Sequence, residues 1–369
     1  MPAHGAPQLA TVGAVTALVP TIDIGPWRRG QDRAATGAAL DDAARRIGFL
    51  QVVGHGIADD TIADMGHACD AFFALPLADK LRCTPERPGI NRGYAAKGTE
   101  ALSYSLGIDA AAPDLFEAFN IGPDSVPDDA WHRADPFDFF APNLWPSAVP
   151  TMRAALVAYL AAAQQVATTL TEVFACALDL PQGWFQPYID RSTITMRVNH
   201  YERRASDAAP SAGQMRMGAH TDYGIVTVLL ADAVPGLQIV GPDGAWHDVV
   251  AEPGALLVNL GDLTARWTND RWRSTVHRVV PPPTDATGAA RRRSVALFLD
   301  GNYDAVITCL PSCASETEPP RYSPVRAGEH LIDKILGPRT RSPSTGANTV
   351  GDRLGAVAQP PHGPQPASE

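Results

Sequence analysis

Residues 192–299 contain a succession of short β-prone runs, and this pattern restricts the possible folds more than any other feature of the chain. Turn-forming dipeptides separate the runs: Pro235-Gly236, Asp243-Gly244, Pro253-Gly254 and Gly261-Asp262. Many short strands at fairly regular spacing are typical of jelly rolls and barrels. We therefore predict a mainly β fold with flanking helices and a double-stranded β-helix (jelly-roll) core. The expected strands are 192–200, 225–230, 237–240, 246–250, 255–259, 276–280 and 294–299.

The remaining chain differs in character along its length. Its two ends are rich in small residues and proline, and residues 84 to about 145 show little periodicity, which is typical of pocket walls. The apolar region 154–180 is interrupted by Gln164, Gln165 and Glu172, which favours a buried helix over a membrane span. The predicted segments are a flexible N-terminal arm (1–18), a helix and strand region with an irregular pocket wall (19–150), a long support helix (151–189), the jelly-roll core (190–305), a C-terminal helix region (306–336) and a disordered tail (337–369).

Composition limits the partners and the cellular compartment. The chain has 369 residues, a formal net charge of -10 and 45% hydrophobic residues, so a sizeable core can form while nucleic acid and anionic membranes are disfavoured as partners. The five cysteines are odd in number and form no Cys-x-x-Cys pair, which argues against a disulfide framework and against a four-cysteine zinc site. The N-terminus has no basic residue before its short apolar run and is a poor signal peptide. We expect a cytoplasmic protein, a monomer or weak homo-oligomer, that acts on a small molecule.

Three residues have the types and spacing of a metal site. His220 and Asp222 lie two positions apart, and His277 follows 55 residues after Asp222 (277 minus 222). On a β-strand alternate side chains share a face, so His220 and Asp222 would point the same way. A histidine from a nearby strand would complete a 2-His-1-carboxylate triad that leaves coordination positions of Fe(II) open. By residue type alone zinc also fits, and a turn aspartate beside a hydrogen-bonded histidine is the simplest alternative.

Two further pairs of polar residues share strand faces. Arg292 and Ser294 open the last predicted strand, and a guanidinium with a hydroxyl beside it is a good receptor for a carboxylate. Asn199 and Tyr201 form a similar pair on an earlier strand. A solvated strand end and an ordinary polar sheet face are the alternatives for these two pairs.

These residues belong to a series of phrases that resembles the iron(II)/2-oxoglutarate-dependent dioxygenases of the isopenicillin N synthase-like family. The resemblance covers roughly residues 19–336, and the phrases follow in the family's order. They are VPTIDIG (19–25), RRIGFLQVVGHGI (45–57), NLWP (143–146), MRVNHY (196–201), GAHTDYG (218–224), GLQIV (236–240), GALLVNLGDLTARWTNDRWRSTVHRV (254–279) and the Arg-x-Ser of RRRS (291–294).

The resemblance implies a role for each matched residue. His220, Asp222 and His277 would bind Fe(II), and Arg292 with Ser294 would bind the distal carboxylate of the co-substrate 2-oxoglutarate. The remaining co-substrate residues are implied to be Asn199 and Tyr201. The implied reaction uses O2, releases succinate and CO2, and hydroxylates, desaturates or cyclises a small molecule, with secondary metabolites and antibiotic biosynthesis as the expected setting. No catalytic side chain beyond the iron centre is expected.

The substrate side of the pocket is less determined by the sequence. Arg197 shares a strand face with Asn199 and could pair with an acidic substrate, although a structural arginine fits equally well. Ile225 and Leu297 stand where the sequence departs from the family, at a usual small hydroxyl residue and at a usual Phe-Phe pair. The full set of expected substrate residues is Arg197, Tyr94, Phe116, Ile225 and Leu297.

The residues leave other functions open. An oxidase of the same fold could use Fe(II) and O2 without 2-oxoglutarate, because an Arg-x-Ser pair can bind a substrate carboxylate instead. A non-catalytic small-molecule binder is a more distant possibility, which the intact triad disfavours. A zinc hydrolase is disfavoured because a carboxylate clamp has no obvious role in it.

Overall fold

The computed structural model describes residues 18–108, 110, 112–203, 210–282 and 291–342. Residues 1–17 of the predicted N-terminal arm and residues 343–369 of the predicted tail lie outside the described residues. Within the described part, the strands β1 to β14 are, in order, Thr21–Asp23, Phe49–Val53, Gly93–Ala95, Glu117–Ile121, Thr195–Tyr201, Met217–His220, Val226–Ala231, Leu237–Val240, Trp246–Asp248, Leu256–Leu260, His277–Val279, Arg292–Leu299, Val306–Ile307 and Val325–Arg326.

The helices surround the sheets and vary greatly in length. In the described residues α1 to α9 are, in order, Gly25–Arg28, Arg33–Arg46, Asp59–Phe73, Leu77–Leu81, Ala130–Arg133, Met152–Ala177, Gln186–Ile189, Asp262–Trp267 and Ala327–Thr340. Short 3-10 helices form at Leu102–Leu106 and Pro311–Cys313.

Two sheets face each other and form the jelly-roll core. The larger sheet has the strand order β1-β2-β10-β7-β12-β5-β4-β3, and the smaller has the order β6-β11-β8-β9. Side chains from both sheets meet in one buried cluster, where Phe49 and Leu257 of the larger sheet join Leu237, Ile239 and Val279 of the smaller. The predicted jelly roll is therefore confirmed, and its seven predicted strands correspond to β5 and β7 to β12.

Strand alternation divides the larger sheet into two chemically different faces. On β12, Val295, Leu297 and Leu299 enter the core beneath the helices, while Arg292 and Ser294 face the cavity between the sheets. The same division holds along β5, β7 and β10, where the cavity side carries most of the polar residues. Polar groups are thus collected on the one face where a ligand can reach them.

The long helix α6 packs beneath the larger sheet against α2 and α3. It is long and apolar enough to cross a membrane by length and composition alone. One continuous side of it, including Leu156, Ala163, Leu170 and Phe174, is fully buried in the core beneath the sheet. Helices that support a core commonly have this composition, which accounts for the apolar run in the sequence.

The segment predicted to be irregular contains two strands of the larger sheet. Strand β4 pairs with β5, placing Ala118 opposite Asn199, and β3 pairs with β4 at the sheet edge. All five residues of β4 are buried, including the polar Glu117 and Asn120, so the strand shows no alternation of polar and apolar residues. The prediction of irregular structure was wrong here because burial on both faces removes that signal.

The C-terminal helix continues beyond its predicted end. Residues 337–340, which the sequence assigned to a disordered tail, form the last turn of α9 despite Gly337 and Pro338. Arg339 stabilises this turn, since its Nε donates to Glu100 Oε1 at 3.1 Å and its Nη2 donates to Asn91 Oδ1 at 2.6 Å. These long-range contacts outweigh the weak helix propensity of glycine and proline.

Candidate metal centre and co-substrate cavity

The three predicted metal ligands meet at one end of the cavity. His220 ends β6 and His277 begins β11, and the two residues are direct partners across this antiparallel pair. Asp222 lies just past the end of β6 rather than on it, yet its carboxylate faces the same point. Its Oδ1 is 4.0 Å from His220 Nε2 and 3.8 Å from His277 Nε2, and all three ligand atoms lie within 4.8 Å of one another.

Each histidine is oriented by a hydrogen bond to a carbonyl two residues before it. His220 Nδ1 lies 2.8 Å from the Gly218 carbonyl oxygen, and His277 Nδ1 lies 3.1 Å from that of Thr275. With Nδ1 donating, Nε2 carries the free electron pair that a metal requires. Burial, reinforced by the neighbouring His277, lowers the pKa of His220 to about 3, so its imidazole is neutral.

The carboxylate of Asp222 is held by two side chains that the sequence did not single out. Thr227 Oγ1 donates to Asp222 Oδ2 at 2.5 Å, and Asn259 Nδ2 donates to the same oxygen at 2.6 Å. Thr227 and Asn259 are cross-strand partners on β7 and β10, which fixes their spacing. Since Oδ2 is occupied, Oδ1 remains for the metal. Both residues lie on the cavity-facing side of their strands, and strand alternation in the sequence could have identified them.

Arg292 is the residue whose surroundings most require a ligand. It is 2% exposed, and its Nε and Nη1 have no hydrogen-bond partner among the described residues. Its guanidinium lies 5.1 Å from the ring centroid of Tyr201, its partner across β12 and β5. A buried cation with unpaired donors is costly unless an anion binds to it. The predicted neighbour Ser294 also lines the cavity, directly opposite Asn199.

Asn199 and Tyr201 lie where the sequence predicted them, and they make different contacts. The Asn199 carboxamide oxygen accepts a hydrogen bond from Arg197 Nε at 2.8 Å, which leaves its amide nitrogen available to a ligand. Burial raises the pKa of Tyr201 despite the opposing effect of Arg292, so the hydroxyl stays protonated. The Tyr201 ring mainly supports the Arg292 guanidinium.

The donor set fits the two groups that the sequence implied. Two imidazoles and one carboxylate whose ligand atoms all lie within 4.8 Å of one another suit Fe(II) with exchangeable positions. A buried guanidinium without a protein carboxylate suits a carboxylate ligand, which it can bind through two parallel hydrogen bonds. Zinc would also suit the triad, but it gives no role to Arg292.

Of the predicted substrate residues, Arg197 lines the cavity, and its donors are used within the protein. Its Nη2 donates to Glu100 Oε2 at 2.7 Å, and Glu100 also accepts a hydrogen bond from Arg339 of α9. Burial would raise the pKa of Glu100, but the two arginines outweigh it and lower that pKa. Arg197 therefore belongs to a buried ion-pair wall, which answers the question the sequence left open about its role.

Ile225 and Leu297, which the sequence predicted to contact the substrate, do not line the cavity. Both are completely buried in the core beneath the helices, on the face of the larger sheet opposite the cavity. Strand alternation explains the error for Leu297, which is three positions from Ser294 and therefore has the opposite phase. Ile225 lies just before β7, so the alternation along that strand does not place it. The neighbouring cavity positions are Thr227 and Phe298.

Tyr94 and Phe116 are also absent from the cavity surface. The Tyr94 hydroxyl donates to Glu117 Oε2 at 2.5 Å, and its ring is buried in the core beneath the helices. Phe116 lies behind the cavity, where its ring packs 5.0 Å from the Arg197 guanidinium and 6.2 Å from the Tyr201 ring. Phe116 thus supports two cavity residues without reaching a substrate itself.

Two elements supply cavity residues that the sequence reasoning missed. Asn91, Leu102 and Phe139 come from the segment before the long helix, and four residues come from α9. Those of α9 are Leu331, Ile335, Pro338 and Arg339. Leu331, Ile335 and Arg339 are spaced by four residues, so a helical reading that extended through Arg339 would have placed them on one face.

Comparison with known proteins identifies the family of this chain. Residues 19–148 match the family described as non-haem dioxygenase in morphine synthesis N-terminal, and residues 193–301 match the 2OG-Fe(II) oxygenase superfamily. The chain is 34% identical over 313 residues to the 2-oxoglutarate-Fe(II) type oxidoreductase hxnY of Emericella nidulans, covering 83% of this chain and 86% of that protein. It is 33% identical over 331 residues to validamycin A dioxygenase of Streptomyces hygroscopicus subsp. limoneus, covering 87% of each chain.

A solved structure has a similar fold. A full-length Neurospora crassa protein in complex with alpha-KG and thymine superimposes with a TM-score of 0.74 at 28% identity, covering 86% of this chain and 96% of that one. A jelly roll with a His-Asp-His site defines a class of non-haem iron enzymes. Within that class, this chain belongs to the 2-oxoglutarate- and Fe(II)-dependent oxygenases of the isopenicillin N synthase-like group. It is an oxidoreductase that uses Fe(II), 2-oxoglutarate and O2 to oxygenate a small molecule.

Proposed function

We propose that His220, Asp222 and His277 bind the Fe(II) of this oxygenase, and that Arg292 with Ser294 binds the distal carboxylate of 2-oxoglutarate. The observation that carries this proposal is the buried Arg292 guanidinium, two of whose nitrogens have no partner among the described residues, in the cavity that holds the three ligand atoms. An anion bound there satisfies the guanidinium and lies within reach of the iron site.

The surrounding residues orient both groups before any chemistry occurs. When bound, the metal with 2-oxoglutarate and O2 supplies the oxidising power, with succinate and CO2 as products. Thr227 and Asn259 keep Asp222 in one rotamer, and the carbonyls of Gly218 and Thr275 keep both imidazole Nε2 atoms facing the cavity. Fixed ligands of this kind do not have to reorganise during the reaction.

We further propose that the substrate is a secondary metabolite. Support comes from validamycin A dioxygenase among the relatives and from the largely apolar substrate end of the cavity, which includes Leu102, Phe139, Leu331 and Ile335. Whether the substrate is hydroxylated, desaturated or cyclised depends on which C–H bond these apolar residues hold nearest to the iron.

Other proposals concern the setting of the enzyme. All five cysteines are free, which supports a reducing, cytoplasmic location. The net charge of -10 supports our proposal that neither nucleic acid nor an anionic membrane is a partner. We propose a monomer or weak homo-oligomer, which sedimentation of the purified protein would test; a tight oligomer at nanomolar concentration would contradict it.

The experiment that tests the function is anaerobic reconstitution with Fe(II) and 2-oxoglutarate, followed by exposure to O2. We expect slow succinate formation without substrate and faster formation when a suitable metabolite is added. Parallel samples with Zn(II) in place of Fe(II), and without 2-oxoglutarate, serve as controls. Substrate oxidation that proceeds without consumption of 2-oxoglutarate would contradict the assignment of Arg292 as the co-substrate clamp.

A further inference from the structure

Asp300 is a buried carboxyl that the proposed mechanism does not use. It directly follows β12, lines the cavity and is 4% exposed. Within the described part of the chain, no hydrogen bond and no ion pair reaches its carboxyl oxygens. Buried carboxyls are normally paired, and those that are not often await a ligand.

The backbone around Asp300 is held by side chains of the segment that precedes β5, and its carboxyl packs against Gly224. Its backbone carbonyl accepts a hydrogen bond from the Ser192 hydroxyl, and Thr193 Oγ1 donates to the next carbonyl, that of Gly301, at 3.3 Å. Its Oδ1 lies against Gly224, where a Cβ atom would come within 1.8 Å of it. Gly224 follows the metal-ligand segment by two residues, so the carboxyl sits beside the metal end of the cavity.

Among the described residues, no ion pair joins Asp300 to a basic side chain. Arg197 and Arg339 are both directed at Glu100, and their other nitrogens donate to Asn199, Asn91 and nearby carbonyls. Burial is the main cause that raises the pKa of Asp300, to about 7. An ionised Asp300 is therefore destabilised unless a cation or a strong hydrogen-bond donor binds to it.

We propose that Asp300 selects a substrate with a protonated amine, which donates a hydrogen bond to its carboxylate while an apolar body packs on the cavity wall. Phe139, Leu331 and Ile335 provide that apolar surface. The amine would anchor the molecule beside the iron and so determine which C–H bond faces it. This inference rests on the proposed function, because it places the substrate in the same cavity as 2-oxoglutarate.

The test compares matched amine and alcohol probes on the anaerobic enzyme loaded with Fe(II) and 2-oxoglutarate. Benzylamine with benzyl alcohol, and cyclohexylmethylamine with cyclohexylmethanol, are titrated by calorimetry. We expect at least one amine to bind roughly tenfold more tightly than its alcohol, as a charge-assisted hydrogen bond to a buried carboxylate would give. Asp300→Asn should abolish this preference and leave alcohol binding unchanged.

Asp304→Asn is the matched control, because it removes the same charge from an exposed position four residues away. It should keep the amine preference, and thermal unfolding with 2-oxoglutarate verifies that both variants are folded. Absence of an amine preference for both probe pairs, or its survival in Asp300→Asn, overturns the proposal. The same titrations begin with 2-oxoglutarate itself: an enzyme that fails to bind it contradicts the proposed function, whereas one that binds it without amine preference contradicts only the role of Asp300.

Discussion

Two buried arginines on neighbouring strands face the same cavity, and their surroundings are opposite. Arg197 on β5 donates to Glu100, Asn199 and Asn120, so the protein itself supplies its partners. Arg292 on β12 has two nitrogens without a partner among the described residues. A permanently paired arginine forms a wall, whereas an arginine left unpaired in the interior marks the place of an anionic ligand.

The polar part of the cavity therefore has two components: a wall, formed by Arg197, Glu100 and Arg339, and a clamp, formed by Arg292 and Ser294. Disrupting the wall should affect stability, while disrupting the clamp should affect co-substrate binding. Because 2-oxoglutarate binds only the folded clamp, saturating it should also raise the melting temperature, through ordinary binding linkage.

The largest effect is expected at the metal end, where neither arginine can compensate. Asp222→Ala removes one of three ligands, and we expect succinate formation to fall by more than about 100-fold, since even the loss of a residue that only supports a ligand costs 10- to 100-fold. Fe(II) binding and succinate release are measured together. Asp243→Ala is the control, because it removes an exposed aspartate that pairs with His247. Normal turnover in Asp222→Ala would refute the triad.

The wall is tested by Glu100→Gln, which leaves Arg197 and Arg339 without their shared carboxylate. We expect a loss of about 3 kcal/mol in the free energy of unfolding, as is usual when one partner of a buried pair is removed. The KM for 2-oxoglutarate should stay within about twofold, because the clamp is untouched. Denaturant unfolding and co-substrate titration measure the two quantities.

The stability that the wall contributes should depend on pH. The pKa of Glu100 is lowered below its ordinary value of 4.5, so its ion pairs contribute stability above that value and lose it as pH falls through the lowered pKa. The stability difference between native protein and Glu100→Gln should therefore shrink in acid. The exposed Glu316→Gln serves as control, and a difference that persists at low pH would show that the wall is not electrostatic.

The clamp is tested by Arg292→Lys, which keeps the charge and removes the planar pair of donors. We expect the KM for 2-oxoglutarate to rise by about 10- to 100-fold, the cost of one charged hydrogen bond. Arg293→Lys is a matched control on the same strand, since Arg293 faces the helices and contacts Gly66 and Asp70. An equal rise in both variants would contradict the assignment of the clamp.

The comparison also shows which features the sequence could predict. Residue type and strand phase placed Arg292 beside Ser294, and Asn199 beside Tyr201, because β5 and β12 are regular and pair in register. The same phase argument, had it been extended along β12, would have excluded Leu297 and selected Phe298. Whether each arginine has a carboxylate partner could not be predicted, since Glu100 contacts Arg197 across 97 residues of sequence and Arg339 across 239.

Losing a residue that only supports a metal ligand should reduce Fe(II) affinity less than losing the ligand itself. Thr227→Val preserves shape and removes the hydroxyl that donates to Asp222 Oδ2, while Asn259 still donates to the same oxygen. We therefore expect Fe(II) affinity to fall by only about tenfold, the lower end of what losing such a support costs. Thr264→Val is the control, because its buried hydroxyl donates to the Ile225 carbonyl at 2.7 Å, away from the ligand atoms. If both variants bind Fe(II) equally well, the Thr227 hydroxyl does not contribute to holding Asp222.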